Sequence, residues 1–443
     1  MKHLQKIGYS PKDILSQCLI QLNYRYILVV IMCFLFSGCP FQSLEKDLAF
    51  IRNTARLQGT IVNPSPHQKP IIVLAYQLFE SDKKLVTYSV QHRPGTFTFI
   101  RSPGRYLIAA FEDANEDWAY QPTEYAGYVG NGSIITVKPG EDIVHLDLTL
   151  KHPEEVTLAE APDLASPAIK AQLDFSKIQA GEIVAIGDLR FSQKNGKQGL
   201  WEPVQFLREV GGGVFFLEPF DPQKIPVVFV HGAGGNPSEW SSLIDHLDRT
   251  RYQPWVFYYP SGLRLNLCAE FLVKTLRKVL VGNTLNNEKI VVIAHSMGGL
   301  VSRSLVNMIV EKDVEQKIRV LFLTISTPWG GHEAAQMGVD YAPAVIPSWI
   351  DMIPNSPYQQ ALFQTPLSSQ IDYYLFFGFK GGRNPFTGGN DDGTVSLASQ
   401  LKPEAQDAAL KTIGFNEDHV SILRSPSVAE KFVTLLTTFA NRE

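Results

Sequence analysis

Val291-Val292-Ile293-Ala294-His295-Ser296-Met297-Gly298-Gly299 decides the fold of this chain. Val291, Val292 and Ile293 are β-branched and make a buried strand. From Met297 the sequence MGGLVSRSLVNMIV has the apolar spacing of a helix. Ser296 falls between the two, where a sharp turn lifts its hydroxyl above the end of a sheet. Such a turn leaves room only for small neighbours, giving the small-x-Ser-x-Gly pattern of a nucleophile elbow. Ala294 stands where a glycine is usual, and Gly298 holds the second small position.

A serine hydroxyl is a weak nucleophile at neutral pH. It needs a histidine to take its proton and a carboxylate to orient that histidine. After an elbow of this kind the acid comes next in the chain, then the histidine. Downstream lie Gly389-Asn390-Asp391-Asp392-Gly393-Thr394-Val395 and Asn416-Glu417-Asp418-His419-Val420. His419 is the one histidine beyond the acid loop, which makes it the expected base. Asp391 and Asp392 are adjacent and point different ways. Asp392 is the expected acid because Asp-Gly-Thr-Val resembles the lipase acid turn, in which the aspartate immediately precedes the glycine. Asp391 is the alternative, otherwise left to cap or solvate the loop.

Around these residues, Gly199-Leu200-Trp201, Phe229-Val230-His231-Gly232 and Ser326-Thr327-Pro328-Trp329-Gly330-Gly331 complete a pattern. Together they resemble the α/β-hydrolase lipases and esterases over about residues 180–443. The Ser-Thr-Pro-Trp-Gly-Gly phrase is similar to that of lipases and GPI inositol-deacylase-like enzymes, in which it leaves the sixth strand near the active site. The resemblance implies a mainly parallel sheet with helices on both faces. It implies a Ser296-Asp392-His419 triad that cleaves carboxylic esters, of lipids or other hydrophobic esters, through an acyl-enzyme. The oxyanion needs two donors. Met297 supplies one N–H from the helix start and, by the family pattern, Ala233 supplies the other. His231 then braces that loop, and His295 fills a variable position. No metal and no organic cofactor is implied. The same triad serves thioesterases and amidases, and a catalytically vestigial, surface-anchored binding protein is the non-enzymatic alternative.

Residues 332–370, with Trp349, Ile350, Met352, Ile353, Tyr358 and Phe363, interrupt this pattern. They are expected to form a cap or lid whose apolar face covers the substrate.

The formal net charge of −4 gives no basic footprint, which argues against nucleic acid as a partner. Lys2, Lys6, Lys12 and Arg25 precede the uncharged run Tyr26–Phe36, which is too short to span a bilayer and suits the apolar core of a signal peptide. Leu35-Phe36-Ser37-Gly38-Cys39 resembles a bacterial lipoprotein signal, with Cys39 as the lipid-bearing residue. The resemblance implies an exported protein of the cell envelope, anchored to the membrane by lipid. Removing residues 1–38 takes away four bases and Asp13, a formal +3, leaving about −7 and no basic patch for anionic headgroups. Cys268 is then the remaining free thiol, so no intrachain disulfide forms, and it reads as a small buried hydrophobe.

Residues 39–54 are polar and read as a tether. From 55 to 150 short alternating strands near 57–62, 71–76, 96–99, 106–111 and 144–148 are separated by Pro/Gly turns, which predicts a β-sandwich. Pro103-Gly104-Arg105-Tyr106-Leu107 resembles a strand of carboxypeptidase-regulatory or prealbumin-like modules. Asp113, Asn115, Asp117 and Glu124 have calcium-loop spacing, but Trp118 stands where the sharp turn needs glycine, so an acidic turn is expected. Residues 151–175 read as a linker and 176–443 as the catalytic domain.

Overall fold

Alternation along the first strands builds a sandwich. In β1 (Ala55–Val62), Ala55, Leu57 and Ile61 are buried while Arg56, Thr60 and Val62 face solvent. It is followed by β2 (Ile71–Leu78), β3 (Lys83–Gln91), β4 (Thr96–Arg101), β5 (Gly104–Glu112), β6 (Ala126–Tyr128), β7 (Ile135–Val137), β8 (Asp142–Ile143) and β9 (Leu148–Thr149). One sheet runs β4-β1-β8, with β9 also on β1; the other runs β3-β2-β5-β6, with β7 also on β5. Leu57, Val73, Phe97, Ile108 and Leu148 fill the space between them. The computed structural model describes residues 40–442 except 81, 92, 160, 162, 165, 167–177, 282, 284, 313–317 and 382–389. The expected signal segment 1–38, the acylated Cys39 and the end of the expected linker lie outside the described residues.

Two local expectations change, and the strand β3 is not among those expected. The strand expected at 144–148 is split into β8 and β9, because His145 turns the backbone to φ +64°. The strand β3 has a single buried position, so it lacks the alternation that marks the others. Part of the expected linker is packed: Leu158 and Leu164 are buried against Leu74 and Phe111 on the outer face of the second sheet. The acidic turn is formed as read. Asp113 accepts the N–H groups of Asp117 and Trp118, and Glu124 accepts those of Ala114 and Gln121.

The segment read as a polar tether is helix α1 (Pro40–Asn53). Phe41, Leu44 and Leu48 recur at helical spacing and pack against Leu200, Trp201, Ile346 and Trp349. Asp47 accepts the N–H groups of Val204 (2.7 Å) and Gln205 (3.2 Å), satisfying the open end of the next helix pair. That pair is α2 (Gln193–Trp201) and α3 (Pro203–Glu209). Thus α1 belongs to the catalytic body, and the sandwich is inserted after it.

The second sheet comprises β10 (Ile178–Ile183), β11 (Gly212–Phe216), β12 (Ile225–Val230), β13 (Tyr252–Tyr258), β14 (Lys289–His295), β15 (Arg319–Ile325), β16 (Ile371–Gly378) and β17 (Lys411–Phe415). Its order is β10-β11-β13-β12-β14-β15-β16-β17. β10 and β11 are mutually parallel but run against the other six, which are parallel throughout. Successive residues enter opposite cores: Val292 and Ala294 with Val228 and Phe322, Val291 and Ile293 with Phe229 and Leu323. Helices α4 (Leu265–Val281) and α5 (Met297–Lys312) supply one face, and the last helix, Pro426–Ala440, supplies the other. This is the α/β-hydrolase fold, with helices on both faces of a mainly parallel sheet. Cys268 is buried on the inner face of α4, as expected of a small hydrophobe.

Residues 333–361 carry three short helices, Glu333–Tyr341, Pro347–Met352 and Pro357–Ala361. They are stapled to the body. Arg264 meets the buried Asp351 through Nε and Nη2, Asp351 also accepts the Leu265 N–H, and Tyr358 donates to the Leu300 carbonyl. Met352 and Leu362 lie in the α4–α5 core.

Candidate active site

Strand β14 ends at His295, and α5 begins at Met297, so one residue must reverse the chain. Ser296 does so at φ +53°, in the left-handed region that a side chain enters only at a cost. Its N–H is held by the Ile325 carbonyl of the adjacent strand at 2.9 Å. The small neighbours are required by contact. A Cβ on Gly298 would strike the His231 carbonyl, one on Gly299 the Thr327 side chain, and one on Gly232 the Ser296 Cβ. Ser326, at the end of the next strand, repeats the strained turn at φ +50°.

The three residues singled out by sequence meet across 123 positions of chain. Ser296 Oγ lies 3.0 Å from His419 Nε2, and His419 Nδ1 lies 2.7 Å from Asp392 Oδ2. Asp392 follows β16, and its other oxygen accepts the N–H groups of Thr394 (3.1 Å) and Val395 (2.8 Å). The His419 N–H donates to the Asp392 carbonyl at 2.7 Å, so the imidazole is fixed to the acid turn by both backbone and side chain. Burial alone would raise the Asp392 carboxyl, but hydrogen bonds from His419, Val395 and Thr394 outweigh it and hold the acid below its ordinary value. Asp391 points elsewhere and caps the loop through the Gly393 N–H.

The loop after β12 passes beside Ser296. The N–H groups of Ala233 and Met297, the expected oxyanion donors, have no partner among the described residues. His231 braces this loop, as expected. Its Nδ1 reaches the Gly232 carbonyl at 2.8 Å, and the Tyr259 hydroxyl donates to the His231 carbonyl at 2.8 Å. Burial pushes the His231 imidazole down to about 4, which keeps it neutral.

His295 does more than fill a position. Its Nε2 lies 2.8 Å from the carbonyl of His419, so the neutral ring donates there and pins the backbone of the base. No sequence signal gives this contact, which spans 124 residues. Burial and the neighbouring His419 push His295 down to about 3. The unfolded chain protonates it near 6.5, so between those values the unfolded state binds more protons and stability falls as pH falls. The difference amounts to about 2 kcal/mol at pH 5. The Tm of the parent protein is expected to drop more steeply between pH 6.5 and 5 than that of His295→Asn. Equal slopes in a thermal-melt series would mean that the ring charges within the fold.

Gly232, Ala233, Gly234, Gly235, Glu239, Val420, Leu423 and Arg424 surround Ser296 and His419 in a cleft of about 140 Å³. None of the residues that line this cleft belongs to 332–370. That segment is committed to the body through Asp351, Met352 and Leu362. At the edge of the segment, Glu333 accepts from Ser396 in the acid turn at 3.0 Å, a buttress for Asp392.

Residues 221–351 match the sequence model of a family described as "Putative serine esterase (DUF676)". The matched stretch holds Ser296 and the loop at Ala233. Ester hydrolysis is the chemistry it supports. No curated protein matches the chain in sequence. Among solved structures, the mature form of Bacillus licheniformis lipase BlEst2 is 22% identical, with a TM-score of 0.40 over 50% of this chain and 97% of that one. Phospholipase PlaB from Legionella pneumophila is 15% identical, with a TM-score of 0.33 over 40% of this chain and 45% of that one. The Vlm2 thioesterase domain is 17% identical, with a TM-score of 0.32 over 51% and 97%.

Proposed function

We propose that this chain is a serine hydrolase that cleaves carboxylic esters of lipids or other hydrophobic compounds through an acyl-enzyme. The reading is carried by the hydrogen-bonded line from Ser296 Oγ through His419 to Asp392, set at a positive-φ turn. His419 Nε2 takes the Ser296 proton as Oγ attacks the ester carbonyl. Asp392 holds the Nδ1–H tautomer and stabilises the imidazolium. The N–H groups of Met297 and Ala233 receive the charge that builds on the carbonyl oxygen. His419 then protonates the departing alkoxide, and water repeats the sequence on the acyl-enzyme. Val420 and Leu423 give the cleft an apolar wall, in keeping with a hydrophobic ester. Attachment to the membrane through an acylated Cys39 completes the proposal and rests on the Leu35–Cys39 sequence.

Treatment with a fluorophosphonate tests the reading, with hydrolysis of p-nitrophenyl butyrate followed in parallel. One phosphonate per chain, attached at Ser296, with loss of hydrolysis is the expected result. Modification elsewhere, or turnover that survives complete labelling, would overturn it.

A further inference from the structure

The cleft around Ser296 has two charged side chains on its rim, Glu239 and Arg424, and they are held differently. Glu239 stands in the first turn after Asn236, whose side-chain amide donates to it at 3.3 Å. Asn236 in turn accepts the Ser238 N–H at 3.0 Å, so this carboxylate is part of a helix cap. Arg424 has no such tie. It ends the turn Ser421–Arg424 that follows His419, is exposed, and makes no hydrogen bond or contact ion pair among the described residues. By contrast, Arg190, Arg264, Arg319 and Arg442 all meet carboxylates. Arg424 therefore has its donors open to a group entering the cleft, beside the apolar Val420 and Leu423.

We infer that Arg424 is a specificity-determining residue that binds an anionic group of the substrate, a carboxylate or a phosphate, while the ester lies on Ser296. A planar guanidinium pairs with either group through two parallel hydrogen bonds. Glu239 lies within Coulombic reach of Arg424 and repels the same group, so the anion is expected to enter on the side of the guanidinium away from that carboxylate. The preferred substrate is an amphiphile: an apolar chain against Val420 and Leu423, and an anionic end at Arg424. This inference rests on the ester-hydrolase reading of Ser296.

The test compares three probes of matched length on the intact chain: a neutral p-nitrophenyl alkanoate, a p-nitrophenyl half-ester of a dicarboxylic acid, and a lysophosphatidic acid. The wild type is expected to favour the anionic probes by ten-fold or more in kcat/KM, chiefly through KM, and the preference is expected to weaken as salt is raised. Arg424→Glu is expected to abolish that ratio, and Arg424→Lys to restore part of it. Preference for the half-ester alone assigns a carboxylate, and preference for the lysophosphatidic acid alone assigns a phosphate. A wild-type ratio near one, or a ratio that Arg424→Glu leaves unchanged, overturns the inference. If the neutral probe is cleaved in that case, the inference fails alone. If no probe is cleaved and fluorophosphonate does not label Ser296, the hydrolase reading has failed first.

Discussion

Ser296→Ala is expected to lower kcat for p-nitrophenyl butyrate by about a million-fold, because the members of a triad act as a unit and removing the nucleophile removes nearly all of their joint effect. Alanine keeps the Cβ that already sits against Gly232 and adds nothing to it. It deletes only the Oγ that lies 3.0 Å from His419. The Tm of the variant should therefore stay close to that of the parent. A folded Ser296→Ala protein with more than a hundredth of the parent rate would remove this serine from the chemistry.

Asp392→Asn is the second large effect. The amide can present an N–H to His419 Nδ1, which selects the tautomer whose Nε2 already carries a proton and cannot accept one from Ser296. A loss of about ten thousand-fold in kcat follows, with KM nearly unchanged. Asp391→Asn is the control. Its amide oxygen still accepts the Gly393 N–H, and its side chain lies off the line to His419, so activity should stay within a few-fold of the parent. If Asp391→Asn inactivates the protein and Asp392→Asn does not, the orienting acid is the other residue.

The site was legible because much of it is local. Ser296 reads from a strand run directly into a helix with small residues between, and the structure explains Gly298 and Gly299 by specific collisions. Asp392 reads from a turn whose glycine and β-branched successor follow it at once, and Thr394 and Val395 supply the N–H groups that hold it. His419 reads from position alone. The readings that changed depend on contacts no short window contains. Phe41, Leu44 and Leu48 are a helix face only because Trp201 and Trp349 wait for them. Residues 332–370 are tied to the body because Asp351, an unremarkable acid in sequence, is buried against Arg264 and Leu265. His295 and Arg424 gain their roles from where His419 brings its own backbone. In the sandwich, turn residues marked the breaks well, but His145 in a left-handed conformation left no signal in a sequence that alternates cleanly.

Helix α1 ends at Asn53 and β1 begins at Ala55, while the chain returns to the catalytic sheet at Ile178. The sandwich is therefore covalently joined to its host at both ends, like a bead strung into a closed loop rather than hung from an end. A single protease cut in the returning segment would not release it. The amino-terminal fragment would still carry α1, held by the Asp47 bonds and the Trp201–Trp349 groove, and both fragments would elute together in native buffer. Excising the module requires an internal deletion that rejoins Asn53 to the start of β10. Domain swaps made by simple truncation would discard part of the hydrolase along with the sandwich.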